Sequence, residues 1–155
     1  MNVNNSSHSK TPVEERMSRD EFLMEAAVLV AKRSTCLRLH VGAVVAIDGR
    51  ILSTGYNGAP SGMPHCAPPF CGPSEPCTRA VHAEANCIAF AAKHGIALSG
   101  GIMYSTDSPC VECAKLIINA GLRGVTYFRE YRDRSPIVLM RDAGIYTDLY
   151  EIIQP

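Results

Sequence analysis

Two short segments of the chain carry residue types that bind zinc. One is His82-Ala-Glu84, which offers an imidazole and, two residues later, a carboxylate. The other is Pro109-Cys-Val-Glu-Cys113, which offers the thiolates of Cys110 and Cys113. Three protein ligands leave the fourth position of a tetrahedral zinc open, and an open position distinguishes a catalytic zinc from a structural one. The sequence therefore predicts a zinc site, held by His82, Cys110 and Cys113, that water or a substrate can enter.

Glu84 is not needed as a ligand, so its carboxylate remains available for proton transfer. Zinc lowers the pKa of water to about 7, and a nearby carboxylate can accept that proton and return it to a reacting group. Neither segment is specific alone, because His-x-Glu pairs are common on surfaces and Cys-x-x-Cys also serves structural zinc or redox chemistry. The two together, each at a predicted helix start, favour a catalytic zinc with Glu84 as the catalytic acid and base.

Helices and strands alternate in the pattern that surrounds these residues. Ser18 and Glu21 form a capping box, Asp48-Gly49 is a hairpin turn, and Gly95 ends the helix that begins at His82. The predicted helices span residues 19–34, 82–94, 108–121 and 135–144, and the predicted strands span 41–47, 50–56, 101–106, 125–128 and part of 145–153. This order, αββαβαβαβ, predicts a mixed sheet with helices on both faces.

The predicted helices place the zinc ligands where metal binding is favoured. His82 begins one helix, and Cys110 and Cys113 lie in the first turn of the next. Side chains three residues apart share one helical face, so both sulfurs can approach the same ion. The positive end of the helix dipole also favours the thiolate over the thiol.

Composition narrows the class of protein. The chain has 155 residues, with 15 basic and 15 acidic side chains, so it lacks the basic surface of a nucleic-acid-binding protein. No apolar run reaches membrane-spanning length, and the polar N-terminus does not resemble a signal peptide. We therefore expect a disordered tail at residues 1–17, a single domain at 18–155 and a cytoplasmic location. In a reducing compartment, the seven cysteines favour metal binding over disulfides.

Beyond the zinc motifs, the chain resembles the deoxycytidylate (dCMP) deaminases of the cytidine deaminase superfamily. Pairing of H-x-E with P-C-x-x-C is typical of zinc-dependent nucleobase deaminases, and Arg33-Ser-Thr-Cys36 and Gly55-Tyr-Asn-Gly58 are specific to the dCMP branch. The likeness covers about residues 18–150 and also includes segments 31–36, 41–45, 55–60, 82–86, 108–118 and 119–121. It implies a three-layer α/β/α cytidine deaminase-like fold with a mixed five-stranded sheet.

The resemblance implies a reaction and its regulation. The reaction is the hydrolytic deamination of dCMP to dUMP, in which hydroxide attacks C4 of the cytosine ring and Glu84 carries the proton to N3 and then to the leaving amine. Ammonia is released, and the dUMP would feed thymidylate synthesis. Members of this family tend to be homohexamers that dCTP activates and dTTP inhibits.

Substrate-binding roles also follow from the resemblance. Asn57 would hydrogen-bond the sugar through its amide, although Asn-Gly is also a common turn sequence. Tyr131 would lie over the nucleotide near the mouth of the pocket. The remaining substrate-binding positions are Ala83 and, for the phosphate, Arg132, Arg38 and Lys93, each of which could equally be a solvated surface charge.

A second metal site is implied for the long segment 57–80, which is rich in Gly, Pro, Ser and Cys. A loop of this length is usually functional or held by something. Some relatives hold a structural zinc here, and four thiolates would close its tetrahedral shell. The matching ligands are Cys36, Cys66, Cys71 and Cys77, with His65 as the alternative; the simpler interpretation is that these cysteines are free thiols.

Other functions remain open at this point. Another deaminase could act on dCTP, cytidine, guanine or a tRNA adenosine, although the neutral charge and the Arg-Ser-Thr-Cys and Gly-Tyr-Asn-Gly segments weigh against the tRNA enzyme. A non-catalytic zinc-binding module belongs to a different class. Glu84 discriminates between these classes, because a structural zinc site has no use for it.

Overall fold

A five-stranded sheet and four helices make up the described part of the chain. The structure, a computed structural model, describes residues 16–69 and 77–151. None of the helices in these two ranges is long and apolar enough to cross a bilayer. The elements are α1 (Arg19–Ala31), β1 (Gly42–Ile47), β2 (Arg50–Tyr56), α2 (Ala83–His94), β3 (Ile102–Asp107), α3 (Val111–Asn119), β4 (Gly124–Arg129), α4 (Ser135–Asp142) and β5 (Tyr146–Leu149).

The sheet is mixed, as predicted. Its strand order is β2-β1-β3-β4-β5; β1 runs antiparallel to β2 and β3, whereas β3, β4 and β5 are parallel. The β1–β2 hairpin turns at Asp48 and Gly49, whose φ angles of 52° and 77° are the positive values that a type I′ turn requires.

Helices cover both faces of the sheet and complete the predicted three-layer architecture. On one face, Leu23, Met24 and Ala27 of α1 pack against Val44 and Tyr104. On the other, α2, α3 and α4 share one apolar cluster with the strands, and its buried helical members are Ala83, Cys87, Ala91, Ala114, Ile117, Ile137 and Met140. The zinc motifs lie on this second face, because both α2 and α3 pack there.

The predicted helix ends differ from the observed ones by up to three residues. The first helix ends at Ala31 rather than at residue 34, because the amides of Lys32, Arg33 and Ser34 bond the carbonyls three residues earlier. The third helix has Cys110, not Ser108, as its N-cap. Ser108 instead ties the end of β3 to the end of β4: its amide donates to the Arg129 carbonyl at 2.8 Å.

Gly55 allows β2 and α2 to approach closely, which holds the start of α2 in place. A Cβ at this position would overlap the Ala83 carbonyl oxygen and the Cys87 amide nitrogen, and would lie 2.9 Å from the Cys87 Cα. We expect Gly55→Ala to lower the free energy of unfolding by about 1–3 kcal/mol, because the obstructing atoms are backbone and cannot move aside. Urea unfolding measures the change. Gly58→Ala is the control, since its Cβ would meet nothing closer than the Tyr56 ring at 3.8 Å; equal losses in the two variants would contradict this account.

Candidate active site

The three predicted zinc ligands come together at the N-termini of two helices. His82 is the N-cap of α2, Cys110 is the N-cap of α3, and Cys113 lies one turn later. The Nδ1 atom of His82 is 3.4 Å from the Sγ of Cys110 and 3.5 Å from the Sγ of Cys113. In a tetrahedral zinc site, nitrogen and sulfur ligands stand about 3.6 Å apart, so the donor atoms fit this ion. Within the described ranges, this is the only cluster of three such ligands whose donor atoms lie within 4.8 Å of one another.

Hydrogen bonds among Cys110, Cys113 and His82 shift the pKa values of the two thiols in a way that favours cation binding. A hydrogen bond from Cys113, together with His82, lowers the pKa of Cys110 well below that of a free thiol. The same hydrogen bond raises the pKa of Cys113, because that residue keeps the proton that Cys110 gives up. The hydrogen bond with Cys110 also raises the pKa of His82. The hydrogen bonds therefore favour a thiolate at Cys110, and a bound cation would displace the shared proton and recruit the second thiolate.

Glu84 lies in the first turn of α2 and is 4 % exposed. Its Oε2 atom is 3.7 Å from the Sγ of Cys113. Burial raises the pKa of Glu84 from its ordinary 4.5 to about 7, which more than offsets the opposing effects of its backbone hydrogen bond and of His82. A carboxyl group with a pKa near neutrality can both accept and donate a proton at physiological pH.

The raised pKa of Glu84 gives the metal-free protein a pH-dependent stability. The folded carboxyl binds its proton more tightly than the unfolded one, so its contribution is full below about pH 4.5 and is lost as the pH rises through about 7. We expect the free energy of unfolding of the chelator-treated protein to fall, as the pH rises through this window, by up to about 3 kcal/mol more than that of chelator-treated Glu84→Gln. Urea unfolding of both proteins at pH 5 and pH 8 measures it. A stability difference between them that does not change with pH would refute the prediction.

A cavity of about 890 Å³ opens over the metal ligands, at the ends of β3 and β4 where their carboxyl termini point. Open α/β sheets bind ligands at this edge, and the volume suits a nucleotide-sized molecule. Its walls include residues from the segment before β1, the start of α2, the β3–α3 junction and the segment after β4. The lining residues include Arg38, Asn57, His82, Ala83, Glu84, Asp107, Cys110, Arg129, Tyr131 and Arg132.

Asn57 lines the cavity, and its side chain is hydrogen-bonded to the backbone of the segment before β1. Its Oδ1 accepts a hydrogen bond from the Val41 amide and its Nδ2 donates to the Leu39 carbonyl, both at 2.8 Å. These two bonds fix the orientation of the amide, so Asn57 is more than the turn residue that Asn-Gly alone suggests. The second Nδ2 hydrogen and the second lone pair of Oδ1 remain for a further partner.

The predicted phosphate-binding residues divide into two groups. Arg38 and Arg132 line the cavity with Tyr131, whereas Lys93 does not. Lys93 lies in the last turn of α2, about 16 Å along the helix axis from His82. Lys93 therefore cannot contact a phosphate bound in the cavity of its own chain, because the predicted zinc ligand His82 and the cavity are at the opposite end of α2.

An ion pair in the cavity wall was missed by the sequence prediction. Arg129 ends β4 and is the direct neighbour of Asp107 at the end of β3. Its Nε and Nη2 atoms donate to the two carboxylate oxygens at 3.0 and 2.8 Å. The signal in the sequence was weak, since the predicted strands stopped at residues 106 and 128. Opposite charges one residue beyond the ends of two parallel strands would have revealed the pair.

The residues predicted for a second zinc are only partly described. Cys36 and Cys66 are buried, and Cys36 and Cys77 line the cavity. Cys77 also accepts a hydrogen bond from the Ala80 amide at 3.3 Å. Cys71 lies outside the described residues, and His65 is exposed. The second metal site therefore stays a prediction.

Comparison with known families agrees with the motifs and the geometry. Residues 17–129 match the family described as the cytidine and deoxycytidylate deaminase zinc-binding region. The chain belongs to this family. Its mixed sheet, its α/β/α layers and its His/Cys/Cys site are therefore those of a deaminase domain, and the predicted resemblance is confirmed.

Several individual proteins are similar to this chain over most of its length. ComE operon protein 2 of Bacillus subtilis is 38% identical over 89% of this chain and 74% of its own length. The deoxycytidylate deaminase of Mycobacterium phage D29 is 39% identical over 72% of this chain and 94% of its own. The dCMP deaminase of cyanophage S-TIM5, solved in complex with dCMP and dUMP, has a TM-score of 0.77 and 34% identity over 87% of this chain and all of its own.

Proposed function

We propose that this protein is a zinc-dependent dCMP deaminase, which converts dCMP and water to dUMP and ammonia. The observation that carries the proposal is Glu84, a buried carboxyl group with a pKa near 7, beside three zinc-ligating side chains at the floor of a nucleotide-sized cavity. A purely structural zinc site needs neither the carboxyl group nor the cavity. Similarity to the cyanophage enzyme with its dCMP and dUMP complex supports the choice of substrate.

The catalytic step assigned to this chain is a proton relay through Glu84. His82, Cys110 and Cys113 would hold the zinc ion, which would supply Lewis-acid activation of water at neutral pH. Glu84 accepts a proton from the attacking water as the C4–O bond forms, and delivers it to N3 of the ring. Glu84 then takes the remaining proton from the oxygen now bonded to C4 and gives it to the 4-amino group, so the C4 carbonyl forms, the C4–N bond breaks and ammonia leaves. Burial keeps Glu84 able to hold the proton during each of these two transfers.

Substrate binding is proposed for the residues that line the cavity. The fixed amide of Asn57 would bond a sugar hydroxyl with its remaining hydrogen and lone pair. Ala83, at the first position of α2, would contact the base through its backbone, and Tyr131 would lie over the nucleotide. Arg38 and Arg132 would face the phosphate, since a guanidinium matches phosphate oxygens well.

Further properties are proposed from the family resemblance. They include a cytoplasmic homohexamer, activation by dCTP, inhibition by dTTP and a supply of dUMP for thymidylate synthesis. A second, structural zinc would bind Cys36, Cys66, Cys71 and Cys77, with His65 as the alternative ligand. This ion would fasten segment 57–80 to the chain after α1, where Cys36 lies.

A substrate panel tests the function. Purified protein is assayed for ammonia release from dCMP, dCTP, deoxycytidine and cytidine, each with and without added dCTP and dTTP. We expect dCMP to have the highest kcat/KM. Exclusive turnover of nucleosides would replace dCMP with a nucleoside substrate, and no turnover of any of them would favour a non-catalytic zinc-binding module.

A further inference from the structure

We propose that Arg129, held in position by Asp107, recognises the substrate's phosphate monoester and so makes the site selective for a nucleotide over a nucleoside. The proposal rests on the proposed deaminase function and deepens it. It concerns a residue pair that none of the sequence motifs includes. Arg129 would be a specificity-determining residue, and Asp107 would position it.

The pair is built as a rigid support rather than a loose surface contact. Asp107 is 5 % exposed, and both of its oxygens accept hydrogen bonds from the Arg129 guanidinium. The Thr106 hydroxyl donates a further hydrogen bond to the Oδ2 of Asp107 at 2.7 Å. The Gly42 amide in turn donates to the Thr106 hydroxyl oxygen at 3.2 Å. A chain of hydrogen bonds from β1 through β3 to β4 therefore fixes the direction of the guanidinium.

This support leaves part of the guanidinium available for a second anion. Arginine has five N–H groups, and Asp107 takes the Nε hydrogen and one Nη2 hydrogen in a side-on contact. The two Nη1 hydrogens and the other Nη2 hydrogen lie along the end of the plane. The Arg129 side chain is 52% exposed and lines the cavity. End-on contact through these hydrogens matches two oxygens of a phosphate.

Arg129 lines the same cavity as Arg38, Arg132 and Glu84. Arg129 and Arg38 also both lower the pKa of the Tyr131 hydroxyl, which burial and the carboxylates of Asp107 and Glu84 raise. Because Glu84 is assigned to the pyrimidine ring, the guanidiniums of this cavity wall are assigned to the phosphate.

A purely structural role is the alternative. Oppositely charged neighbours at the ends of β3 and β4 would help to hold the strands together whether or not a phosphate binds. The two roles differ in one measurable property, because a strand-end contact affects dCMP and deoxycytidine equally. These compounds differ only in the phosphate.

The test compares Arg129→Gln with the wild type on dCMP and deoxycytidine. We expect KM for dCMP to rise about 10- to 100-fold, the value of a charged hydrogen bond pair, with kcat/KM for deoxycytidine unchanged. Arg141→Gln is the matched control, since the Arg141 guanidinium donates to the Thr147 hydroxyl oxygen at 2.6 Å and neither residue lines the cavity. Where deoxycytidine turns over too slowly, inhibition by dUMP and by deoxyuridine is compared instead, and only dUMP should weaken.

Two further variants separate folding from recognition. Asp107→Asn should raise KM for dCMP by less than Arg129→Gln, because the guanidinium remains but is held less firmly. The double variant Asp107→Asn/Arg129→Gln leaves no unpaired buried carboxylate, so it should regain thermal stability without regaining the preference for dCMP. Equal losses on both substrates, or a preference restored in the double variant, would overturn the proposal. A wild type inactive on every cytosine compound would instead refute the proposed function itself.

Discussion

Glu84→Gln should leave zinc bound while lowering kcat for dCMP by about 10²–10⁴-fold, the range that one acid–base residue contributes. Glutamine keeps the size of the side chain but can neither accept nor return a proton. We expect the upper part of the range, because Glu84 serves both proton transfers of the reaction. Ammonia release gives the rate, and metal analysis of the same sample gives the zinc content.

Glu112→Gln is the matched control for this variant. Glu112 also stands in the first turn of a helix that carries zinc ligands, one residue before Cys113. Its side chain is 79% exposed and pairs with Lys115 at 2.8 Å, away from the cavity wall. The control should therefore keep both zinc and activity. Full deaminase activity in Glu84→Gln would refute the proposed mechanism, and loss of zinc would show that Glu84 supports the metal site.

Cys113→Ala should remove the catalytic zinc and reduce deamination to background. Cys113 is 2 % exposed, and its Sγ lies near both His82 and Glu84. A catalytic zinc site needs three protein ligands, and the variant would keep only two. If the second zinc is present, the wild type should contain about two zinc ions per chain and the variant about one. Metal analysis after gel filtration measures both.

Two other cysteine variants assign each zinc to its site. Cys66→Ala should lose the proposed structural zinc and keep the catalytic one. Cys87→Ala is the control, because Cys87 is a fully buried core residue on α2 that belongs to neither ligand set. A wild-type content near one zinc per chain would remove the structural site, whereas an unchanged zinc content in Cys113→Ala would remove the catalytic one.

Features set by neighbours along the chain could be predicted from the sequence. The spacing of Cys110 and Cys113 follows one helical turn, Asp48-Gly49 determines its hairpin, and the Ser18–Glu21 capping box forms as expected, with the Ser18 hydroxyl accepting from the Glu21 amide at 3.1 Å. These features depend on backbone geometry within a few residues. The clustering of the three candidate zinc ligands could therefore be predicted from the sequence.

Features that depend on contacts between segments distant in the sequence could not be predicted from it. Asp107 and Arg129 are 22 residues apart and meet because β3 and β4 pair in parallel with this register. Ser108 does not cap α3 because its hydroxyl accepts from the Tyr131 amide, 23 residues away, at 3.0 Å. Lys93 resembled a phosphate ligand because the sequence gives its charge but not which end of α2 faces the cavity.

The hydrogen bonds around Asn57 also affect the rate at which this residue would deamidate. Asn-Gly sequences deamidate spontaneously when the glycine nitrogen attacks the asparagine side chain, and asparagine is among the thermolabile residues. Here the Gly58 amide donates to the Val81 carbonyl at 3.1 Å, and both ends of the Asn57 side-chain amide are held by Leu39 and Val41. The fold therefore engages both reacting groups in hydrogen bonds that the reaction would have to break. An unfolded chain has no such protection, and an aspartate at position 57 would set a carboxylate oxygen against the Leu39 carbonyl, so chemical damage suffered before folding would persist as a malformed cavity.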